Sequence, residues 1–496
     1  MKRQVGLIGL GVMGQNLALN IHENAYSIAI YNRTASKTEN FIHNNVGIKS
    51  IKPTYTLKDL VSSVERPRKI ILVVKSGQAV DDLIDQLKAL LVSGDLIIDS
   101  GNSFFKDTIR RSQELIKNGI FYIGAGISGG EKGAREGPAI MVGGQKRAYQ
   151  LVQELFKKIA AKAKDGIPCI SYNGPHGAGH YVKMIHNGIE YGDMQLIGEC
   201  VWVLKKVLKM QSDKIAEILA QWNQKEDVLH SYLVEITAEM MKKRDNTKSA
   251  FLIDMVADIT AMKGTGTWTV QSALELMVPI PTITAAVYSR EMSQKKAFRA
   301  KLFKQKQTHA FPPPPVINSD ELINLAHDAL YLAKISSYAQ GMALLQSASA
   351  AYQFDFNLKN IVQGWRAGCI IRARLLEEMT RIYQINPLLS NLLLAPYFLE
   401  KINTKLPKMS RFLNIAQQSG IPIPAMNASF SYILQLRSPI MISAQVSALQ
   451  RDFFGAHGYF RLKESNHPDI IIDQNGRGKV FHTQWMKDGR PEVEKK

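Results

Sequence analysis

The sequence predicts an α/β domain built on a parallel sheet, followed by a large all-helical domain and an extended C-terminal tail. Three observations lead there. Residues 1 to about 178 alternate short apolar runs with helical patterns, as parallel strands joined by crossover helices do. Asn173-Gly174-Pro175-His176-Gly177 then breaks the pattern, and from 179 to about 437 the periodicity is mostly helical. From about Ser438 the chain turns glycine-rich and polar, which reads as an extended tail rather than an independent domain. The expected division is therefore 1–178, 179–437 and 438–496.

Each element has its own warrant. Val5 to Ile8, Ser27 to Tyr31, Ile70 to Val74, Leu96 to Asp99 and Phe121 to Gly124 are apolar runs short enough for buried strands. Gln15 to Ile21, Asp81 to Leu91 and Tyr149 to Ala160 read as helices between or after them. Pro312 to Pro315 must be a loop, because proline cannot continue a helix. Gly420 to Pro424 reads as a turn.

The 496 residues are 45% hydrophobic and 21% charged, ordinary for a globular protein with a large core. The net charge is +19, from 62 Lys and Arg against 43 Asp and Glu. Such a field attracts anions: nucleic acid, or a phosphorylated substrate and cofactor. The basic clusters are short and scattered, which disfavours nucleic acid. The three cysteines, Cys169, Cys200 and Cys369, are odd in number and lack CxxC spacing. That argues against a disulfide framework or a zinc site, and fits a reducing, cytoplasmic setting. The start resembles a signal peptide only superficially, and no uninterrupted apolar span of ~20 residues suits a membrane.

Gly9-Leu10-Gly11-Val12-Met13-Gly14 follows the first strand and opens a helix. In a Rossmann-like dinucleotide fold the first glycine makes the turn, the second admits the pyrophosphate and the third lets helix pack on strand. About twenty residues on, an NAD site would carry a carboxylate for the ribose 2′-hydroxyl. Here the chain reads Tyr31-Asn32-Arg33-Thr34. Arg33 attracts a 2′-phosphate, and Asn32 and Thr34 can hydrogen-bond to it, so NADP is expected. Val74-Lys75-Ser76 and Asp99 to Asn102 end later strands, where ligands meet open parallel sheets.

The segment His180 to Leu196 carries Lys183, His186, Asn187, Glu190 and Tyr191 on one helical face, with Val182, Ile185 and Ile189 opposite. Gly188 and Gly192 interrupt it, each costing helix stability of ~1 kcal/mol, which suggests close approach of another group. Ser128-Gly129-Gly130 offers a second wall of backbone N–H groups suited to an anion. A buried lysine with a lowered pKa can take a hydroxyl proton during hydride transfer, then stabilise the carbonyl that forms. Glu190 could protonate a second carbon after loss of CO2. No cluster at metal-ligand spacing is present, so no metal is expected. Lys263-Gly264-Thr265-Gly266 reads as a short phosphate-gripping turn; Arg290, Arg451 and His457 could complete an anion ring.

These segments resemble the 6-phosphogluconate dehydrogenase family, in order and along nearly the whole chain. The matching runs include Gly9 to Asn16, Asn32-Arg33-Thr34, Ile127 to Glu131, Val182 to Gln195, Lys263 to Gly266, Tyr338-Ala339-Gln340-Gly341, Gly368 to Arg372 and Arg451 to His457. The resemblance implies conversion of 6-phosphogluconate and NADP to ribulose 5-phosphate, CO2 and NADPH, a step of the pentose phosphate pathway. It implies Lys183 as general base and then acid, and Glu190 as the acid at the enediol carbon. Asn102, Ser128, Gly129, Gly130, His186 and Asn187 would hold the sugar acid; Tyr191, Lys263, Arg290, Arg451 and His457 its phosphate end. It also implies a homodimer whose tail reaches into the neighbouring active site, without nucleic acid or membrane.

Lys132, Ser100 and Thr267 depart from the family pattern, as do the length of Trp222 to Tyr232 and the segment Pro312 to Pro315. They bear on affinity and loop shape more than on reaction type. Two alternatives remain from the sequence: a β-hydroxyacid dehydrogenase acting on a small unphosphorylated acid, and a non-catalytic NADPH-binding or nucleic-acid-binding protein.

Overall fold

A computed structural model describes residues 1–225, 227–305, 313–465 and 467–495. Glu226 and Pro312 thus lie outside the described residues; Pro313 to Pro315 are a loop, as expected. The chain divides into two compact units, Met1–Ser429 and Phe430–Lys496.

The first unit opens with an eight-stranded sheet: β1 (Val5–Ile8), β2 (Ile28–Tyr31), β3 (Ile51–Thr54), β4 (Lys69–Leu72), β5 (Leu96–Asp99), β6 (Phe121–Ile127), β7 (Ile140–Gly144) and β8 (Ile170–Tyr172). Their order is β3-β2-β1-β4-β5-β6-β7-β8. All five expected strands are present. The sheet is parallel, as expected, except where β7 runs antiparallel to β6. The sequence reading missed β3, β7 and β8. β3 holds Pro53, and β7 ends in Gly143-Gly144, so propensity hides both. The helix expected over Tyr149 to Ala160 is two, Lys146–Gln150 and Gln153–Ile159; the one expected over Asp81 to Leu91 spans Gln78–Lys88.

β1 and β5 are buried along their whole length, because helices cover both faces. One face packs Leu7, Ile30, Ile71 and Ile98 with Leu17 and Ile21; the other packs Ile8, Ile70, Leu72 and Ile97 with Val80, Ile84 and Leu87. Register then decides where function can gather. Ile8 stands beside Tyr31 and Leu72, and Leu72 beside Asp99. The residues that follow these four therefore leave the sheet at one edge. Strand order reverses on the two sides of β1, which makes this edge the crevice where α/β folds bind ligands.

After β8 the unit is helical. A 30-residue helix, Ala178–Val207, lies against β6 and β7, with helices Thr265–Glu275, Pro281–Ser293 and Ser319–Tyr352 around it. The 34-residue helix Ser319–Tyr352 starts where Asn318 accepts hydrogen bonds from Asp320 N and Glu321 N at 2.8 and 3.3 Å. Lys334, fully buried on it, pairs with buried Asp193 of the 178–207 helix. Among the described residues, no helix is long and apolar enough to cross a membrane.

The second unit holds more structure than an extended tail. It contains a helix, Ile442–Gly455, and a small antiparallel sheet of β9 (Tyr459–Phe460), β10 (Val480–Thr483) and β11 (Glu492–Glu494). Buried Asp452 organises it, accepting from Gly458 N at 2.9 Å, Thr483 N at 3.0 Å and Trp485 Nε1 at 2.9 Å, and bonding His482 Nδ1 at 2.8 Å. One carboxylate thus ties the helix to the sheet.

Candidate active site

The glycine motif builds the first half of the site. Gly9 has φ +105°, open to glycine and strained for other residues. A Cβ on Gly14 would stand 1.9 Å from Gly9 O, so helix Val12–Glu23 packs on the turn as the motif requires. A Cβ on Gly11 would meet nothing within 4 Å, leaving room for a ligand at the helix N-terminus. No side chain caps that terminus. A cavity of about 270 Å³ lies there, lined by Gly11, Val12, Met13, Val74 and Asn102 among others, and reaching Ile127. Leu10 N donates to Asn32 Oδ1 at 3.0 Å, and Asn32 Nδ2 donates to Thr34 O at 3.1 Å. The Asn32 side chain therefore braces the glycine turn, where a direct bond to a 2′-phosphate was expected. Arg33 and Thr34 are exposed just past β2. Val74, Lys75 and Ser76 lie in the loop beyond β4, which ends at Leu72; Lys75 is exposed.

Asp99, which the sequence reading gave no role, holds the loop carrying Asn102. It is buried, and accepts from Gly101 N at 3.1 Å, Ser103 Oγ at 2.6 Å and Tyr122 OH at 2.8 Å. His180, at the start of the long helix, bonds Asp99 O through Nε2 at 3.1 Å and Thr108 Oγ1 through Nδ1 at 2.7 Å. Signals for these contacts are absent from the sequence, because the partners lie 72 and 81 residues apart.

The long helix supplies the second half. Its polar stripe is buried: Lys183 is 5% exposed and His186 0%. The helix is thus enclosed by protein rather than amphipathic at a solvent boundary. Gly188 and Gly192 explain how. A Cβ on the first would stand 2.6 Å from Thr269 Cγ2, and on the second 2.3 Å from Ser337 Oγ. The close neighbours are the helices Thr265–Glu275 and Ser319–Tyr352.

His186 bonds Ser128 Oγ at 3.3 Å and Asn187 Oδ1 at 3.1 Å, and its Nδ1 is 3.8 Å from Glu190 Oε2. Asn187 Nδ2 donates to Thr265 Oγ1 at 3.2 Å. Arg290 stacks over the Tyr191 ring, Cζ 3.6 Å from its centroid. Burial pushes the Lys183 ammonium below its usual range, against the pull of Glu190. Burial also raises the Glu190 carboxyl, with Lys183 and Arg290 only partly offsetting it. Burial, helped by the Lys183 charge, holds His186 well below its ordinary value, so it is neutral. Lys183 has no hydrogen-bond partner among the described residues.

The structure therefore gathers Ser128, Lys183, His186, Asn187, Glu190, Tyr191 and Arg290. Gly129 (φ +108°) and Gly130 (φ +64°) turn beside them, and a Cβ on Gly129 would stand 2.5 Å from Gly368 O. Lys263 is exposed; the expected loop motif instead opens the helix Thr265–Glu275, with Gly264 as its N-cap. Of the departures, Lys132 is exposed near Glu136, and Ser100 lines the cavity. Arg451 and His457 belong to the second unit, both exposed, His457 edge-on to Phe454. Trp365, edge-on to His186, and Cys369, whose thiol burial pushes up to about 12, are neighbours that the sequence reading did not assign. Among the described residues no group of three or more His, Cys, Asp or Glu could hold a metal ion.

Two family models match. The NAD-binding domain of 6-phosphogluconate dehydrogenase covers residues 4–174, and the C-terminal domain of 6-phosphogluconate dehydrogenase covers 179–485. The decarboxylating 6-phosphogluconate dehydrogenase of Escherichia coli K12 is 46% identical, over 98% of this chain and 99% of its own. The NADP(+)-dependent, decarboxylating enzyme of Bacillus subtilis 168 is 44% identical, over 98% and 100%. A solved structure of Plasmodium falciparum 6-phosphogluconate dehydrogenase, studied as apo form and with its cofactor NADP+ and its substrate 6-phosphogluconate, superposes with a TM-score of 0.90 at 38% identity, covering 97% of this chain and 100% of that one. Together with the glycine turn and the buried Lys183–Glu190 helix, these matches establish that the chain belongs to the 6-phosphogluconate dehydrogenase family.

Proposed function

We propose that this protein is an NADP-dependent enzyme that oxidises 6-phosphogluconate and decarboxylates it to ribulose 5-phosphate. The observation that carries the chemistry is Lys183: a buried amine without a hydrogen-bond partner among the described residues, one turn from neutral His186 and two from Glu190, beside the dinucleotide crevice.

The residues present fit the cofactor, since the Gly11 position is open and the uncapped helix terminus faces the cavity. NADP, when bound, accepts a hydride from the substrate carbon. Gly9 to Gly14 and the loops carrying Val74, Lys75, Ser76 and Asn102 cradle it, and Arg33 and Thr34 meet the 2′-phosphate, with Asn32 bracing them. Lys183, its pKa lowered by burial, takes the hydroxyl proton as the carbonyl forms. The protonated amine then holds that oxygen while the β-keto acid loses CO2. Glu190, whose protonated form burial favours, delivers a proton to the enediol carbon. Asn102, Ser128, Gly129, Gly130, His186 and Asn187 orient the sugar acid; Tyr191, Lys263 and Arg290 hold its phosphate.

The working unit is a homodimer in which Arg451 and His457 enter the neighbouring subunit's site. Ile442, Val446, Leu449 and Phe453 support this: they recur at helical spacing and are each 43–72% exposed, an apolar stripe suited to another chain. Exposed Leu252, Ile253, Met255, Val256 and Ile259 support a second such surface. The division 1–178, 179–437 and 438–496 follows as cofactor, substrate and tail regions, with the cytoplasm as setting.

The test is substrate-dependent NADPH formation with CO2 detection, comparing wild type with Lys183→Met. The expected result is turnover in the former and near-complete loss in the latter, with NADP binding retained. Wild-type turnover in Lys183→Met would remove the base assignment.

A further inference from the structure

The Gly368 to Arg372 segment has no role in the chemistry above, yet it leads into a second basic cleft. Of about 240 Å³, this cleft lies within the first unit and is lined by Lys162, Lys164, His230, Arg366, Arg372 and Arg374, with Glu235 and Glu377 the acidic residues. Its floor is fixed by backbone. Arg374 N donates to His230 O at 2.9 Å, Tyr232 N donates to Arg372 O at 3.0 Å, and Ser231 bridges Ala373.

The cations there are not equivalent. Arg366 is held by Asp165 at 2.7 Å, and Arg374 by Glu377. Lys162, Lys164 and Arg372 have no carboxylate partner among the described residues. Arg372 is nonetheless fixed: its guanidinium stacks on the Tyr232 ring, Cζ 3.5 Å from the centroid, and Nη1 donates to Cys369 O at 2.9 Å. A stacked guanidinium with free donors is prepared for a planar fork of oxygens, and two lysines add point charges. Against them stands exposed Glu235, which leaves an uncompensated excess of two positive charges.

We propose that this cleft is a second anion-binding site that takes a small phosphate-bearing molecule. One carboxylate would leave two of the three cations unneutralised; a phosphate or pyrophosphate group matches both their charge and the fork. At about 240 Å³ the cleft has room for a compact phosphate or pyrophosphate group beside these cations. The proposal does not rest on the reaction assigned above.

The test is calorimetric titration of the full chain with inorganic pyrophosphate, at matched ionic strength, after saturation with 6-phosphogluconate and NADPH. No turnover then occurs and the first site's phosphate positions are filled. The expected result is one pyrophosphate per chain. Lys162→Gln/Lys164→Gln, at exposed positions, weakens it about tenfold or more, as loss of charge-assisted contacts should. Arg372→Leu does the same. Absence of binding, or binding unchanged in the lysine double variant, overturns the site. Citrate binding as tightly as pyrophosphate overturns the phosphate assignment. Because the lysine variant locates the heat, failure here is distinguishable from failure of the proposed reaction.

Discussion

Gly126 on β6 lies directly against Lys183: a Cβ at Gly126 would stand 2.5 Å from Lys183 Cβ and 2.8 Å from its Cγ. The lysine's placement is therefore set by the absence of a side chain on a strand 57 residues earlier. Gly126→Ala must displace the lysine stem. A fall in kcat/KM on the order of 100-fold is expected from such a misplacement, with NADP affinity retained. Steady-state kinetics beside a cofactor titration checks it; unchanged kcat/KM would show that the helix can shift freely.

The pH profile should be bell-shaped, because burial lowers Lys183 and raises Glu190. The amine must be neutral to act as base, so the acid limb reports its protonation. The carboxyl must be protonated to act as acid, so the alkaline limb reports its ionisation. Glu190→Gln should lower the rate by about 100- to 10,000-fold and abolish the alkaline limb alone. A pH-rate series on both proteins measures this.

Arg33→Ala should raise KM for NADP about tenfold or more and leave KM for NAD unchanged, since only the 2′-phosphate distinguishes the two. Equal effects on both cofactors would show that Arg33 acts on the turn and not on the phosphate.

Gly11→Ala and Gly14→Ala separate binding from folding. The first adds a methyl into open space and should weaken NADP binding without changing the melting temperature. The second places Cβ 1.9 Å from Gly9 O and should destabilise the fold by about 1–3 kcal/mol. Thermal melts with and without NADP distinguish them.

Glu199 is a pH-dependent element of stability. Its buried carboxylate accepts from Ala425 N and Met426 N, both at 2.9 Å, and burial raises its pKa from 4.5 to about 7, against those bonds and that from Gln195. The folded state then binds more protons than the unfolded state between these values. Stability is full below pH 4.5 and falls as pH rises through about 7, by an amount on the order of 3 kcal/mol. Denaturant melts should show this slope in wild type and not in Glu199→Gln.

Local pattern carried much of this protein. The glycine turn, Arg33 in place of a carboxylate, and Lys183, His186, Asn187 and Glu190 on one helical face are readable because each lies within a few residues of its neighbours. Periodicity reaches that far. It does not reach Gly126 beneath Lys183, Asp99 beneath Asn102, or the helices that fit into Gly188 and Gly192.

By itself, then, the order of residues determined the fold class, the dinucleotide crevice and the chemical identity of the acid and base. Tertiary structure alone decided that β7 runs antiparallel, that the polar stripe is enclosed, and that the tail folds around Asp452. The reason is physical: side-chain type and spacing are properties of the chain, whereas desolvation, which moves Lys183 and Glu190 toward their working protonation states, arises only when distant segments close over them.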